Sequence, residues 1–364
     1  MRVQSIDYLR GLMSLSIVFY HFSTSFTSWG LNDSGAVLGR LGIYAVSAFY
    51  IISGMALYLA HRNDSWSISD YFVFIVRRFL RLAPVYWVGL ILFTIFGYKY
   101  LNGFAIDIWK YAQNIFLIFG LTNPTEYILM GGWSIGNEVV FYIFFPVFIM
   151  MVKNRFGLIT VVLASIFLLG YCSAFYLEPS SGIAEQWAAY INPINQIYFF
   201  VFGIVIAHLL LKYVGRNKFL FSAIAFMFSA VFIFYPAQGN QINIIVGTNK
   251  IVFTMITVAV CSMFFLIGDL LVIKPLHIAL KFLGDISYPL YLMHGASFMF
   301  FRQYFYYSGI TDATLIAHGL VMLVTLLVLS WLCHVGIEKP VIRLSKQYSK
   351  QIIKSEKDAK YNAS

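Results

Sequence analysis

Apolar residues in this chain come in runs that approach twenty, the length of a helix that crosses a bilayer, and short polar segments separate them. Eleven stretches fit: roughly 7–28, 36–60, 84–98, 107–121, 133–152, 157–177, 193–213, 218–236, 249–271, 286–306 and 313–334. The fourth is the weakest, being short and carrying Asp107, Lys110, Gln113 and Asn114. Asp7, Arg10 and His21 interrupt the first, and no small-residue cleavage site follows, so it reads as a retained span and not a signal peptide.

Basic residues set the orientation, because short Lys/Arg-rich loops stay cytoplasmic. Segment 61–83 carries Arg62, Arg77, Arg78 and Arg81, and Lys153/Arg155, Lys212/Arg216/Lys218 and Lys274/Lys281 follow in later loops. A crossing at 107–121 would put Lys153 and Arg155 outside and invert every later loop. With 107–121 interfacial or re-entrant, most of the 25 Lys and Arg fall inside; Arg40, Lys99, Lys110, Lys250 and Arg302 are outside and Arg10 is in the membrane. The predicted architecture is all-α and polytopic, with about ten transmembrane helices and both termini cytoplasmic. A transmembrane domain covers 1–340, and a basic cytoplasmic tail over 341–364 is attracted to anionic headgroups.

Composition agrees with this reading. The 364 residues are 60% apolar and only 11% charged, against about 25% charged in soluble domains, and mean hydropathy is +0.78. That excludes a sizeable soluble domain, a long disordered tail and a disulfide scaffold. The net charge of +10 belongs to topology and not to nucleic-acid binding; the lipid bilayer is the expected environment. Cys172, Cys261 and Cys333 lie in apolar runs without C-x-x-C spacing and read as small core residues, not metal ligands.

Ionisable groups inside spans are costly and usually mark a site or a wet cavity. Here they are Arg10, His21, Glu138, Asp269, Asp285 and His294. Arg10 and His21, eleven residues apart, share one face of a helix about 16.5 Å apart along its axis. Asp7, three residues before Arg10, is placed to pair with it. Counted from the helix ends, His21 and Glu138 share an outer layer, where a carboxylate could orient an imidazole general base. His294 counts into the inner half, on Arg10's side. Arg78 and Arg81, at i and i+3 before Pro84, suit a phosphate clamp. Each has a plainer alternative: a snorkelling Arg10, packing histidines, and topology anchors at Arg78 and Arg81. No Walker, G-x-G-x-x-G, G-x-S-x-G or H-E-x-x-H motif is present, which argues against an ATP-driven pump, a nicotinamide enzyme, a serine hydrolase or a zinc protease.

Six segments, in order along residues 6–340, resemble the membrane acyltransferase-3 family. They are IDYLRGLMSLSIVFYH with Arg10 and His21; AFYIISGM with Ser53 and Gly54; RRFLRLAPVYW with Arg78, Arg81 and Pro84; WSIGNEVVFYIFFP with Trp133, Ser134, Glu138, Phe141, Tyr142 and Pro146; LGDISYPLYLMHG ending at His294; and EKP at 338–340. Val139 and Ala296 stand where family members often have a second acidic residue and a proline. The resemblance implies a multi-pass protein of the bacterial inner membrane that moves an acyl group, acetyl being the expected one, from cytoplasmic acyl-CoA to a sugar hydroxyl of a surface polysaccharide or its lipid-linked precursor. It implies His21, Arg10 and Glu138 as catalytic, and Arg78, Arg81, Ser53 and His294 at the acyl-CoA. Asp7, Trp133, Ser134 and Tyr142 would be supporting residues. His21 would act as general base or carry the acyl group briefly, the former being preferred, with Arg10 near the thioester and available to the oxyanion. No bound cofactor or metal is implied, acyl-CoA being a substrate, and a homo-oligomer is compatible. Some relatives carry an extracytoplasmic hydrolase-like domain; with 29 residues after the last span, this membrane domain is expected to complete the transfer alone. The rival class is a polysaccharide polymerase or transporter, which would show long outer loops or inverted repeats; neither is found. Within the enzyme reading, a non-glycan acceptor stays open.

Overall fold

The computed structural model describes residues 3–100, 106–269 and 273–348, leaving aside the side chains of 99 and 100. Arg2, the Lys99 side chain and tail residues 349–364 therefore lie outside the described residues. The described chain is all-helical, without strands. In order, the helices are α1 Gln4–Phe26, α2 Val37–His61, α3 Ile68–Tyr100, the short α4 Ile108–Ile115 and α5 Phe119–Thr122, α6 Gly132–Val152, α7 Arg155–Ala174, the one-turn α8 Trp187–Tyr190, α9 Ile197–Leu210, α10 Lys218–Phe234, α11 Gly247–Ile267, α12 Lys274–Tyr304 and α13 Asp312–Cys333. A π-turn over His334–Glu338 joins α13 to further helix that runs to residue 348.

Among the described residues, six helical segments are each long and apolar enough to cross a bilayer: Val37–His61, Ile68–Tyr98, Gly132–Val152, Arg155–Ala174, Gly247–Ile267 and Asp312–Tyr348. Ile197–Tyr213 and Lys218–Phe234 are apolar but shorter. The helices α1 and α12 are long, and ionisable residues dilute their apolar runs: Asp7, Arg10 and His21 on one, Lys281, Asp285 and His294 on the other. Segment 107–121 does not cross. The helix α4 has eight residues, about 12 Å against a core of about 30 Å. Its polar residues pin the following loop: Asn114 donates to the Lys110 and Glu126 carbonyls at 2.8 and 2.7 Å and accepts from Tyr86 Oη at 2.5 Å.

The sequence pattern misplaces the start of two helices. The apolar run from 84 is the second half of a continuous α3, so Arg78 and Arg81 sit on a helix and not in the expected loop. Pro84 is tolerated inside it, as prolines in membrane helices often are. The run from 286 likewise belongs to α12, which starts at Lys274.

Two close crossings set the packing. A Cβ added at Gly11 of α1 would lie 2.6 Å from Gly284 N of α12, and one at Gly284 would lie 2.5 Å from Asp7 O. A Cβ at Gly54 of α2 would lie 2.1 Å from Phe200 O of α9, and one at Gly203 would lie 2.0 Å from Ile51 O. Small residues that let backbones touch are the usual adhesive where lipid removes the hydrophobic drive.

Two cations expected in outer loops are buried instead. Arg40 donates to the carbonyls of Ser34, Phe232, Ile233, Tyr235 and Ala237 at 2.7 to 3.2 Å, closing the C-terminal end of α10. Lys250 donates to Cys172 O at the end of α7, 3.1 Å away, and to Asn195 Oδ1 at 2.6 Å. Both complete helix ends that present unpaired carbonyls. The three cysteines are buried and free, as expected.

Replacing Gly284 with valine is expected to lower the unfolding midpoint of the detergent-solubilised protein, overpacking of this kind costing about 1 to 3 kcal/mol. Gly170→Ala, in open surroundings on α7, should leave it unchanged. Equal midpoints for Gly284→Val and the wild type would show that the α1–α12 contact does not hold the fold together.

Candidate active site

The α1–α12 contact arranges the first half of the site. The two helices run parallel in one register: Arg10 reaches Gly284 and Ser287, Ser14 reaches Ser287, and His21 reaches His294. Arg10 Nε donates to Ser287 Oγ at 2.8 Å and Nη2 to Gly284 O at 3.0 Å, with Asp7 Oδ1 3.6 Å away. Ser14 Oγ donates to Ser287 O at 2.8 Å. Asp7 thus takes its expected place beside Arg10. Ser14 and Ser287 are additions that sequence reasoning missed; the signal for Ser287 was its place in the LGDISY segment.

A cavity of about 160 Å³ opens beside Arg10. Its lining includes Arg78 and Arg81 from α3, Ser53 from α2, and Ser134, Glu138 and Tyr142 from α6. The last three recur every fourth residue and so share a helical face. Tyr142 donates to Glu138 Oε2. Ser53 Oγ lies 3.4 Å from Tyr142 Oη and, that proton being committed to Glu138, is the donor. Arg81 and Arg78 both act electrostatically on Glu138. Three guanidinium groups and one carboxylate therefore face a single small cavity. Glu338, in the π-turn, also acts electrostatically on Arg81 and accepts from His334 Nδ1 at 2.6 Å.

His21 and His294 form the second half. Their rings stack with centroids 5.1 Å apart and planes 20° apart, and Tyr20 packs edge-on against His21 at 5.0 Å. His294 Nδ1 is hydrogen-bonded to Tyr291 O. A carbonyl only accepts, so the proton is on Nδ1 and Nε2 is left as an acceptor; it is buried without a partner among the described residues. Tyr291 links the two halves. It lines the cavity, and its hydroxyl lies 2.9 Å from Ser134 Oγ and donates to Gly131 O at 3.0 Å. Trp133 stands apart from the cavity lining, packed against Trp187 and Tyr190 with centroids 6.0 and 5.7 Å away.

Two expected placements are revised. Glu138 is turned toward the arginine pair, with Tyr142 as its hydrogen-bond partner, and His21 packs on His294 and Tyr20. A buried carboxylate gains more from two cations than from a neutral imidazole. His294 belongs with His21 and not with Arg10, because α12 begins twelve residues before its apolar run and so carries His294 further along. The cavity does bring together Arg10, Ser53, Arg78, Arg81, Ser134, Glu138 and Tyr142, which lie in four separate sequence segments.

Apolar helices thus enclose arginines and a carboxylate, with a histidine pair beside them. Residues 3–335 match the family model Acyl_transf_3, described as an acyltransferase domain. The chain belongs to that family and is a multi-pass membrane acyltransferase. Among curated proteins it is similar to the peptidoglycan O-acetyltransferase OatA of Listeria monocytogenes, 29% identical over 197 residues, and to the acyltransferase MdmB of Streptomyces mycarofaciens, 25% identical over 389 residues. The first match covers 48% of this chain and 28% of OatA; the second covers 94% of this chain and 92% of MdmB.

Glu138→Ala takes its acceptor from Tyr142 and removes the carboxylate from a cavity lined by three arginines. It is expected to cost about 1 to 3 kcal/mol of stability, and Glu138→Gln, which keeps an acceptor for Tyr142, should cost less. Denaturation of the purified variants reads both; an Ala variant as stable as the wild type would remove Glu138 from this role.

Proposed function

We propose that this protein moves an acetyl group from acyl-CoA to a glycan hydroxyl. The observation that carries the donor assignment is the cavity lined by Arg10, Arg78 and Arg81 against the single carboxylate of Glu138. Such a surplus of positive charge suits an anionic substrate, and Arg forks suit phosphate. At about 160 Å³ the cavity lies below the usual range for a drug-sized ligand. It suits one part of the donor, threaded in as an arm, better than a whole nucleotide. The positive-inside reading puts the Arg78 end at the cytoplasm, where acyl-CoA is found, in a protein of ten spans with both termini inside. The bacterial relatives support a bacterial inner membrane, and the name of OatA supports a glycan as acceptor.

In this reading His21 is the general base. It takes the proton of the acceptor hydroxyl as that oxygen attacks the thioester carbonyl; the tetrahedral intermediate collapses with loss of the CoA thiolate, which the proton then neutralises. His294 stacks on the base and fixes its ring plane. Arg10 lies about 16.5 Å from His21 along the helix, so it serves the donor arm and not the same carbonyl. Glu138 balances the arginines.

The test is transfer of radiolabelled acetyl from acetyl-CoA to glycan in membranes holding the wild type or variants at matched expression. His21→Ala is expected to lower the rate by about 10²- to 10⁴-fold, the usual worth of a general base, and Arg10→Ala to raise KM for acetyl-CoA. Equal activity in all three would make the pair structural; a wild type that transfers nothing would overturn the donor or the acceptor.

A further inference from the structure

We propose that His61 and Asp64 form a positioning couple for Arg78, holding its guanidinium on the cavity wall where the anionic part of the donor arrives. The proposal rests on the donor reading above and concerns two residues that lie between the AFYIISGM and RRFLRLAPVYW segments and in neither.

Arg78 Nη2 lies 3.2 Å from His61 Nε2, and His61 Nδ1 lies 2.6 Å from Asp64 Oδ2. A guanidinium has donors only, so His61 Nε2 must be the acceptor; the ring proton is then on Nδ1 and is donated to Asp64. The proton arrangement has one solution. The imidazole is held from the sides as well, with the rings of Phe74, Trp66 and Phe145 centred 5.0, 5.8 and 6.1 Å away. Phe74 also faces the Arg78 guanidinium, 5.5 Å from its ring centre. The chain of contacts runs from the surface inward: the Asp64 side chain is 41% exposed and that of His61 is 7% exposed, and Arg78 ends on the cavity.

Arg78 needs such a support. Its Nε is buried without a hydrogen-bond partner among the described residues, and a long side chain that must be ordered when the ligand binds weakens binding by the entropy lost. His61 fixes the fork beforehand. It ends α2 and Asp64 lies in the turn into α3, so the couple also makes that turn part of the cavity's frame.

The experiment uses the purified full chain in detergent, reading acetyl-CoA kinetics, saturable CoA binding and the unfolding midpoint. His61→Phe keeps the aromatic packing and removes the acceptor. It is expected to raise KM for acetyl-CoA about tenfold, the scale of one charge-assisted hydrogen bond, with a smaller change in kcat. His61→Gln, whose carboxamide oxygen can accept from Arg78, should recover most of the loss, and Asp64→Asn should fall between. Should His61→Phe fail to fold, Asp64→Asn against the wild type gives the same KM comparison. If His61→Phe and the wild type share one KM, or if Gln and Phe at 61 behave alike, the couple is refuted while Arg78→Ala still reports on the donor site. If the wild type itself neither binds CoA nor uses acetyl-CoA, the donor reading falls and the couple's role falls with it.

Discussion

The site depends on one contact, the parallel packing of α1 on α12 at Gly11 and Gly284. With backbone against backbone there, the side chains on either side have fixed partners: Arg10 with Gly284 and Ser287, Ser14 with Ser287, and His21 with His294. A bulkier residue at either glycine would push the helices apart and break all of these at once. Both helices carry several ionisable groups, and their mutual contact gives Arg10 and His294 their partners. The polar contacts across this interface satisfy groups that hydrocarbon would leave unpaired.

Four cations on the helices divide into two kinds by what holds them. Arg40 and Lys250 are held by carbonyls at helix ends, which is a complete structural account of both. Arg78 and Arg81 are placed differently. They stand on one face of α3, line the cavity with Glu138, and Arg78 is held by His61, while Glu338 acts electrostatically on Arg81. Glu338 sits in a π-turn just before Pro340, and such turns inside helices recur at functional sites. Three arginines and one carboxylate lining a single cavity make a surface that a further anion would stabilise.

Much of this was legible in the sequence, and what was not has a common cause. Arg10 and Glu138 could be read directly, because buried charge in a membrane has few explanations, whereas Arg78, Arg81 and Ser53 came with the family resemblance of their segments. Depth could not, because apolar runs mark where a helix meets lipid and not where it begins. The helices α3 and α12 both extend well before their apolar runs, so the apolar pattern alone puts Arg78 in a loop and His294 in the inner half. Counting from run ends also set Glu138 beside His21, while electrostatics turned it to the arginines. His61 and Asp64 were invisible for another reason: one closes a helix and the other sits in a turn, where His and Asp are ordinary residues, and only the fold shows that they meet Arg78.

The two halves of the site are joined through Tyr291. Its hydroxyl is tied to Ser134 and Gly131 at the cavity, and its carbonyl fixes the tautomer of His294, on which His21 stacks. The arginines and the histidine pair are therefore rigidly related without sharing a wall: the cavity lining includes Arg10 but neither histidine. In the proposed reading, a donor anchored at the arginines extends along α1 to bring a carbonyl to His21, a distance set by the eleven residues between Arg10 and His21. That separation would let a charged anchor and a neutral base coexist in a low-dielectric interior, where nearby cations strongly disfavour a proton on an imidazole.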